Sequence, residues 1–416
     1  MKKNLLLLNL FLASGLYAQL LTMQESIEKT LQHHPDIKSF MLKFEQSRRG
    51  YDVSFADYLP QVDIYAQYNP MQTFVLPQNG SLHTIDDDGW SAGISLKQKV
   101  WDFSRTSSKV KASKLDEDIS RLSLEDAKVL MAYRVKSLYK LMVVHKEAIS
   151  VREKDLESKQ AYYEQAKALV RQGLKTEADA SRFLSAVYGA QNAMAIARSL
   201  YAKAKISLSL YMGEEIDDEV ELENALIRQD YAVSVATESE VLEGNYQLQI
   251  TLENIKKNRL LHRSAKASRY GSIDMQAAYN YFDTLARYDT KLVGITLNVP
   301  LYSGGRINAE AEKARVGMQM AQEAKASRLL SLREEISGLL IDIKRYDKTI
   351  AAQKAQIDAA NKTKKVLEAR YKEGLTTYIE VLDAITLVLN AKLGLLEAYY
   401  AKSMVINRLE YLKGKI

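Results

Sequence analysis

Hydrophobic and polar residues alternate in four short stretches of the chain. In the first, Val62, Ile64 and Ala66 share one face, whereas Gln61 and Asp63 share the other. A period of two with one apolar and one polar face is typical of half-buried β-strands. The alternation therefore predicts strands at about 60–68, 90–101, 272–281 and 290–302.

The predicted strands have the length of tilted membrane-spanning strands, about 9 to 11 residues. Aromatic residues cluster near their ends, as in the girdle of a membrane barrel. These residues are Tyr65, Tyr68, Trp90, Trp101, Tyr279, Tyr281, Tyr288 and Tyr302. The alternative is the edge of an ordinary soluble sandwich. Four strands within a mostly helical chain fit that alternative poorly.

Two very long helices are predicted from the residues that follow each strand pair. The stretch 106–172 contains no Gly and no Pro, and the stretch 307–373 contains only Gly317 and Gly338. A mean soluble helix has about 11 to 12 residues, so helices of this length need neighbouring helices for support, as in coiled coils. Gly173 and Gly374 are placed as C-terminal capping glycines.

Shorter helices surround these elements. Returning helices are predicted at 176–212 and 377–413, where apolar residues recur at intervals of three and four. Each strand pair is preceded by a short helix and a second helix, at about 22–32 and 35–58 in the first half and at about 234–244 and 246–268 in the second. The fold is thus predicted to be mainly α-helical with a membrane β-barrel part.

The two halves of the chain repeat each other. Gly93-Ile94-Ser95-Leu96 and Gly294-Ile295-Thr296-Leu297 match at the same offset as the glycines that end the long helices. The repeats are predicted at 19–212 and 234–416, with a linker at 213–233. An exposed loop is predicted at 69–89, longer than its counterpart at 280–289, because it contains two prolines, Asn-Gly and three aspartates.

Composition excludes several classes of site. The chain has no cysteine, so it holds neither a disulfide nor a cysteine metal site. Its formal net charge of +6 is spread along helical stretches, which disfavours nucleic acid as a partner. The histidines are isolated or surface-like, and no nucleophile–base pair or phosphate loop occurs, so neither an enzyme, a cofactor nor a metal site is expected.

The N-terminal residues have the pattern of a secretory signal, and residues 1–18 are predicted to be a signal peptide. Lys2 and Lys3 precede an apolar core, and Ala18 suits a cleavage site. No later stretch has about 20 uncharged apolar residues. The chain is therefore expected to enter a membrane through its strands. Four strands leave open edges, so copies must associate, as 8 strands from two chains or 12 from three.

Two acidic residues stand just after the second helix turn. Glu380 and Asp383 are three residues apart and lie on one helix face, where a ring of carboxylates around a pore favours cations. The alternative is a solvated helix start, since the helix dipole favours acids there. The first repeat carries Asp179 and Arg182 at the matching positions, so the difference between the copies is predicted to form the gate.

The chain also resembles the TolC family of outer-membrane efflux proteins over nearly all of its mature length. The resemblance rests on four segments, of which the last is the most specific. They are Leu31 to Ile37, Leu59-Pro60, the run from Pro300 to Gly305, and Arg370-Tyr371 with Gly374 followed by Glu380 to Ala384. It implies a homotrimer with a 12-stranded barrel in outer-membrane lipid and a helical tunnel in the periplasm.

The resemblance also implies partners and roles for individual residues. Members work with an inner-membrane pump and a periplasmic adaptor, and they export drugs, toxic solutes or proteins, as in multidrug efflux and type I secretion. Glu380 and Asp383 match the family's acidic constriction, and Asp179 and Tyr371 match positions that link helices when the tunnel is closed. The turn residues expected to contact the adaptor are Gly173, Leu174, Gly374 and Leu375.

One position departs from the family pattern. Where members often carry a basic residue after the second glycine, this chain has Thr376, so the closed-state link is predicted to involve Lys175 or Arg171 instead. The competing function is that of a soluble periplasmic coiled-coil adaptor or structural protein without a barrel. The sequence leaves the exported substrate open.

Overall fold

The computed structural model describes residues 20–78, 80–217, 220–223 and 238–416. The predicted signal peptide, much of the predicted linker and the predicted helix start at Ser234 lie outside these residues. The elements, in chain order, are β1 Leu20–Leu21, α1 Met23–His33, α2 Pro35–Ala56, β2 Gln61–Gln78, β3 Ser81–Trp101, α3 Arg105–Arg171, α4 Glu177–Met212, β4 Glu221–Leu222, α5 Glu238–Gly244, α6 Tyr246–Ala267, β5 Ser272–Asp283, β6 Arg287–Asn298, α7 Arg306–Lys372 and α8 Tyr378–Leu412.

The chain forms two compact units, and each draws on both repeats. The sheet unit comprises Lys38–Ala127 and Leu242–Glu334, with β2, β3, β5 and β6. The helical unit comprises the described residues of Met1–Ile37, Lys128–Val241 and Glu335–Ile416. The prediction of a mainly helical chain with two repeats and four strands is confirmed. Within the described residues, no helix is both long and apolar enough to cross a membrane.

The four strands of the sheet unit form one antiparallel sheet in the order β2-β3-β5-β6. Val62 lies opposite Leu96, Leu96 opposite Ala277, and Ala277 opposite Val293, so these side chains form one row on the apolar face. This face is open to solvent in the single chain. Ile64 is 80% exposed and Val293 82% exposed, which is unusual for large aliphatic side chains.

The prediction of an exposed loop at 69–89 is wrong. β2 continues to Gln78 and, after an irregularity between Asn69 and Gln72, pairs with β3 from Gln72 opposite Asp87 to Gln78 opposite Ser81. Pro70 and Pro77 suggested a loop, but they lie where β2 and β3 continue past the end of β5 and β6 as a two-stranded ribbon. The outer side of β2 in this ribbon tolerates residues without an N–H donor. Gly80 supplies the turn with its positive φ of 82°.

The second hairpin is also tighter than predicted. β5 reaches Asp283 and β6 begins at Arg287, so the predicted loop at 280–289 is reduced to a three-residue turn. Tyr281 pairs with Asp289 and Phe282 with Tyr288, which extends the ladder through residues assigned to the loop. β6 ends at Asn298 rather than at 302, before Pro300 removes a donor.

The long helices α3 and α7 each have 67 residues, and each of their ends lies within one residue of the predicted end. In the helical unit, Tyr139 of α3 and Leu208 of α4 lie in one fully buried core. The Tyr139 hydroxyl donates to the carbonyl oxygens of Leu21 and Glu223, 2.7 and 3.2 Å away. A buried hydroxyl needs such partners, and here they fix the chain segments of β1 and β4 to α3.

A buried lysine joins the two repeats inside the helical unit. Lys140 of α3 is 1% exposed, and its Nζ donates to the Oδ1 of Asn407 on α8 at 2.8 Å. One turn away, Lys136 Nζ donates to Glu410 Oε2 at 2.7 Å. Burial lowers the pKa of Lys140 to about 8, and the charge of Lys136 adds to this effect while Glu410 opposes it.

The contribution of Lys140 to the free energy of unfolding should therefore rise with pH in a defined window. Below about pH 8 Lys140 is charged in both states, whereas between about 8 and its ordinary value of 10.5 only the unfolded chain retains the proton. Melting temperatures of the wild type and of Lys140→Met, measured from pH 7 to 10.5 in one detergent, check this. Above about pH 8 the melting temperature of the variant should lack the rise with pH that Lys140 contributes in the wild type. The same pH dependence of the melting temperature in both proteins would refute this expectation.

Candidate functional site at the two helix turns

The site lies in the helical unit, where α3 turns into α4 and α7 turns into α8. Gly173 ends α3 with a φ of +76°. Its N–H donates to the Val170 carbonyl, and the Leu174 N–H donates to the Leu169 carbonyl, both at 2.9 Å. These two bonds form a Schellman motif, which satisfies carbonyls that a helix end would otherwise leave unpaired.

The second repeat builds the same turn with the same chemistry. Gly374 has a φ of +73°, and its N–H donates to the Tyr371 carbonyl at 3.1 Å. The Leu375 N–H donates to the Arg370 carbonyl at 2.8 Å. Leu174 and Leu375 are 64% and 67% exposed, so both turns present an apolar side chain to solvent.

A capping box starts each returning helix. In α4 the Thr176 N–H donates to Asp179 Oδ2 at 2.9 Å, and the Asp179 N–H donates to Thr176 Oγ1 at 3.3 Å. In α8 Thr377 and Glu380 make the matching pair of bonds at 3.0 and 3.4 Å. Glu380 also accepts from the Thr376 hydroxyl. Both predicted helix starts are thus N-caps, one residue before the first helical position.

The two acids predicted to form a constriction differ in their surroundings. Both are exposed and both lie at the start of α8. The Glu380 carboxylate accepts hydrogen bonds from the N–H and hydroxyl of Thr377 in its capping box. Asp383 makes no hydrogen bond or ion pair with any residue of the described ranges. Arg182, its counterpart in the first repeat, is exposed as well.

An aromatic cluster holds the ends of all four long helices together. Phe183 of α4 is fully buried at its centre. Its ring lies 5.8 Å from Tyr162 of α3, 5.8 Å from Tyr371 of α7 and 6.3 Å from Tyr378 of α8. Because these rings come from both repeats, the cluster fixes one helix turn against the other.

Tyr371 and Asp179, the predicted closed-state pair, lie near each other without a hydrogen bond between them. The Tyr371 side chain is fully buried, and its hydroxyl has no hydrogen-bond partner among the described residues. Burial raises the pKa of Tyr371 to about 12, and the negative charge of Asp179 adds to the rise. The Asp179 carboxylate is instead engaged by Thr176.

Lys175 lies between the two turns. Its Nζ is 5.2 Å from the centre of the Tyr371 ring and donates to the Thr376 carbonyl at 3.3 Å. A lysine over an aromatic face gains a cation–π attraction. One side chain of the first repeat thus contacts two residues of the second.

Sequence reasoning missed the aromatic cluster, although the repeat contains a signal for it. At the offset of 201 residues, Phe183 matches Ala384, Tyr371 matches Val170 and Tyr378 matches Glu177. Each aromatic residue therefore has a smaller or polar counterpart, which marks where the copies have diverged. Among the residues that the structure describes, no three His, Asp or Glu side chains are grouped as a metal site requires.

Comparison with known proteins gives a consistent result. A family model described as outer membrane efflux protein matches residues 26–214 and 238–414, which together form most of the chain. Outer membrane protein TolC of Escherichia coli K12 is 31% identical over 117 residues, 28% of this chain and 23% of TolC. Outer membrane efflux protein BepC of Brucella suis is 22% identical over 326 residues, 74% of this chain and 68% of BepC. The match to TolC thus spans less than a quarter of that protein.

Solved structures share the fold over nearly the whole chain. The structure of CusC superposes with a TM-score of 0.86 at 17% identity, covering 95% of this chain and 92% of CusC. The outer membrane protein VceC of Vibrio cholerae gives a TM-score of 0.82 at 15% identity, covering 94% and 96%. The same arrangement of strands and long helices therefore persists at low sequence identity.

Proposed function

This chain belongs to the outer membrane efflux protein family, and we propose that three copies of it form a channel that exports molecules from the periplasm. The observation that carries the proposal is the sheet with one exposed apolar face. Within the described residues, β2 and β6 each pair with one neighbour only. Members of this family are channels rather than enzymes, and they reside in the outer membrane.

The exposed apolar face suits lipid, and a sheet in lipid has to be closed. In lipid, each unpaired backbone group costs several kcal/mol, so open strand edges do not persist there. Pairing β2 of one copy with β6 of the next removes both edges, and three copies give 12 strands. The apolar face then contacts lipid and the polar face, defined by Gln61, Asp63, Gln67, Gln276, Asn280 and Thr290, lines the lumen.

The helical ends are proposed to close the duct on the periplasmic side and to meet its partners there. The exposed Leu174 and Leu375 suit contact with the apolar surface of a periplasmic adaptor, which connects the channel to an inner-membrane pump. Toxic small molecules are the proposed cargo, with proteins as the second class. Multidrug resistance outer membrane protein MdtP of Escherichia coli O6:H1, 27% identical over 139 residues, supports the first class.

Asp383 is proposed to dominate the acidic ring at the helix turns, because the Glu380 carboxylate already accepts hydrogen bonds from Thr377 in the capping box. Asp383→Asn should weaken block of the conducting channel by Mg²⁺ about tenfold, equivalent to about 1.4 kcal/mol of charge interaction. Glu380→Gln keeps an acceptor for the capping box and should weaken the block less. Block is measured as the half-maximal Mg²⁺ concentration in single-channel recordings.

Asp358→Asn is the matched control, since Asp358 is an exposed acid of α7 away from the turn. Its channels should keep the wild-type block. A conducting Asp383→Asn channel with wild-type block would remove Asp383 from the constriction. The channel proposal itself is tested by the wild type in the same recordings. Discrete conductance steps support it, whereas a soluble periplasmic adaptor would produce none.

A further inference from the structure

Five aromatic and polar side chains lie in two adjacent rows on the polar face of the sheet. In one row Tyr65 lies opposite Gly93, Gly93 opposite Asn280, and Asn280 opposite Thr290. The Tyr65 hydroxyl donates to Asn280 Oδ1 at 3.1 Å, and Asn280 Nδ2 donates to Thr290 Oγ1 at 3.2 Å. A chain of hydrogen bonds thus crosses all four strands.

Because Gly93 has no side chain, the Tyr65 and Asn280 side chains can meet above it. A Cβ atom built at Gly93 would lie 2.4 Å from Asn280 Oδ1 and 2.7 Å from Tyr65 Cε1. The Tyr65 ring therefore lies across the glycine and is held at its hydroxyl end by Asn280. The ring remains 40% exposed although its position is fixed.

The next row toward the strand turns carries a second fixed aromatic surface. Phe282 of β5 lies opposite Tyr288 of β6, and their rings stack with centroids 4.9 Å apart and planes at 20°. Tyr288 is 50% exposed. Asn280, which holds the Tyr65 hydroxyl, and Phe282 are two residues apart on β5, or about 7 Å along the strand. The stacked pair therefore begins about the width of a fused ring system from the hydroxyl end of Tyr65.

We propose that Tyr65, Asn280, Phe282 and Tyr288 form a binding site for flat aromatic solutes on the lumen wall of the barrel. The proposal rests on the proposed function, because only a closed barrel turns this face toward the lumen. It adds a site within the membrane part of the duct, which is separate from the acids at the helix turns.

The chemistry of the site suits amphipathic aromatic molecules. Exposed rings offer faces on which a planar ligand stacks, and cationic ligands gain a further attraction to the ring faces. Asn280 and Thr290 provide polar groups beside them for the ligand's heteroatoms. Because hydrogen bonding fixes Tyr65 and stacking fixes Tyr288, binding costs little loss of side-chain freedom.

The test compares two monovalent cations in single-channel recordings of the full-length protein. Ethidium is planar and aromatic, whereas tetrabutylammonium is neither. Each is added on the side that faces the β2–β3 and β5–β6 turns. In the wild type, ethidium should block for about ten times longer than in the double variant Phe282→Leu/Tyr288→Leu, which loses the stacked pair. Block by tetrabutylammonium should be the same in both.

Tyr281→Leu is the control, because Tyr281 adjoins Phe282 on β5 but lies on the apolar face against Trp90. Its channels should retain the long ethidium block. If the double variant does not insert, the single variant Tyr288→Leu is compared in its place. Conducting variants with unchanged ethidium block, or an equal loss in Tyr281→Leu, would overturn the site and leave the channel function intact. Absence of any wild-type conductance would instead refute the proposed function.

Discussion

Replacing Phe183 by alanine is expected to separate the two helix turns and leave the channel permanently conducting. Phe183 is fully buried and its ring contacts aromatic side chains of three other helices. Removing a buried Phe side chain costs about 3 to 5 kcal/mol, through lost burial and the cavity that remains. The lost stability is that of the contacts that join the two repeats at the turns. The turns should therefore separate before the rest of the fold unfolds.

Two measurements check this expectation. Single-channel recordings should show higher conductance for Phe183→Ala than for the wild type. Hydrogen–deuterium exchange should accelerate in residues 162–186 and 371–388 while the core around Tyr139 keeps its protection. The control is Tyr188→Ala on the same helix, which truncates an aromatic residue that is exposed. Wild-type conductance and exchange in Phe183→Ala would show that the aromatic cluster does not keep the turns together.

The second large effect is expected at Gly271, between α6 and β5. Its φ is +81°, and a Cβ atom there would lie 1.9 Å from the Asn298 carbonyl oxygen and 2.9 Å from Val299 Cα. Both obstacles are backbone atoms, so no side-chain rotation relieves the clash. Gly271→Ala should therefore prevent β5 and β6 from pairing in register, in addition to about 1 to 2 kcal/mol for the left-handed conformation.

The amount of heat-modifiable protein in outer-membrane fractions measures this effect. Gly271→Ala should yield almost none. Gly304→Ala is the matched control, because Gly304 has a φ of +61° but open space around it. It should lose stability through its backbone conformation alone and still insert. Equal insertion of the two variants would show that the contact with Asn298 does not constrain the sheet.

Periodicity predicted the parts of the fold in which each residue's role follows from its neighbours in sequence. Alternation located β2 and β5, and the absence of Gly and Pro predicted α3 within one residue at each end. The hairpin extension was mispredicted because Pro70 and Pro77 suggest a loop locally. Their tolerance depends on β2 and β3 continuing past β5 and β6 as a two-stranded ribbon, which is a property of the whole sheet.

The candidate site was predictable in position but not in its contacts. The paired glycines located both turns, and the acid spacing placed Glu380 and Asp383 on one face. Only the structure shows that Glu380 caps α8 while Asp383 is left to solvent. Lys175 was predicted as one of two residues that replace, in the closed-state link, the basic residue absent at Thr376. The hydrogen bond of Lys175 to the Thr376 carbonyl supports this role as a proposal. Contacts between repeats, such as Phe183 with Tyr371, have no local pattern in the sequence.

The proposed channel requires three copies of the chain to close the open sheet into one barrel. Native mass spectrometry of the protein extracted in mild detergent measures this assembly. The expected particle has the mass of three mature chains, remains assembled until it is heated and never appears as a stable soluble form without detergent. A monodisperse monomer, or a particle that stays in solution without detergent, would contradict it.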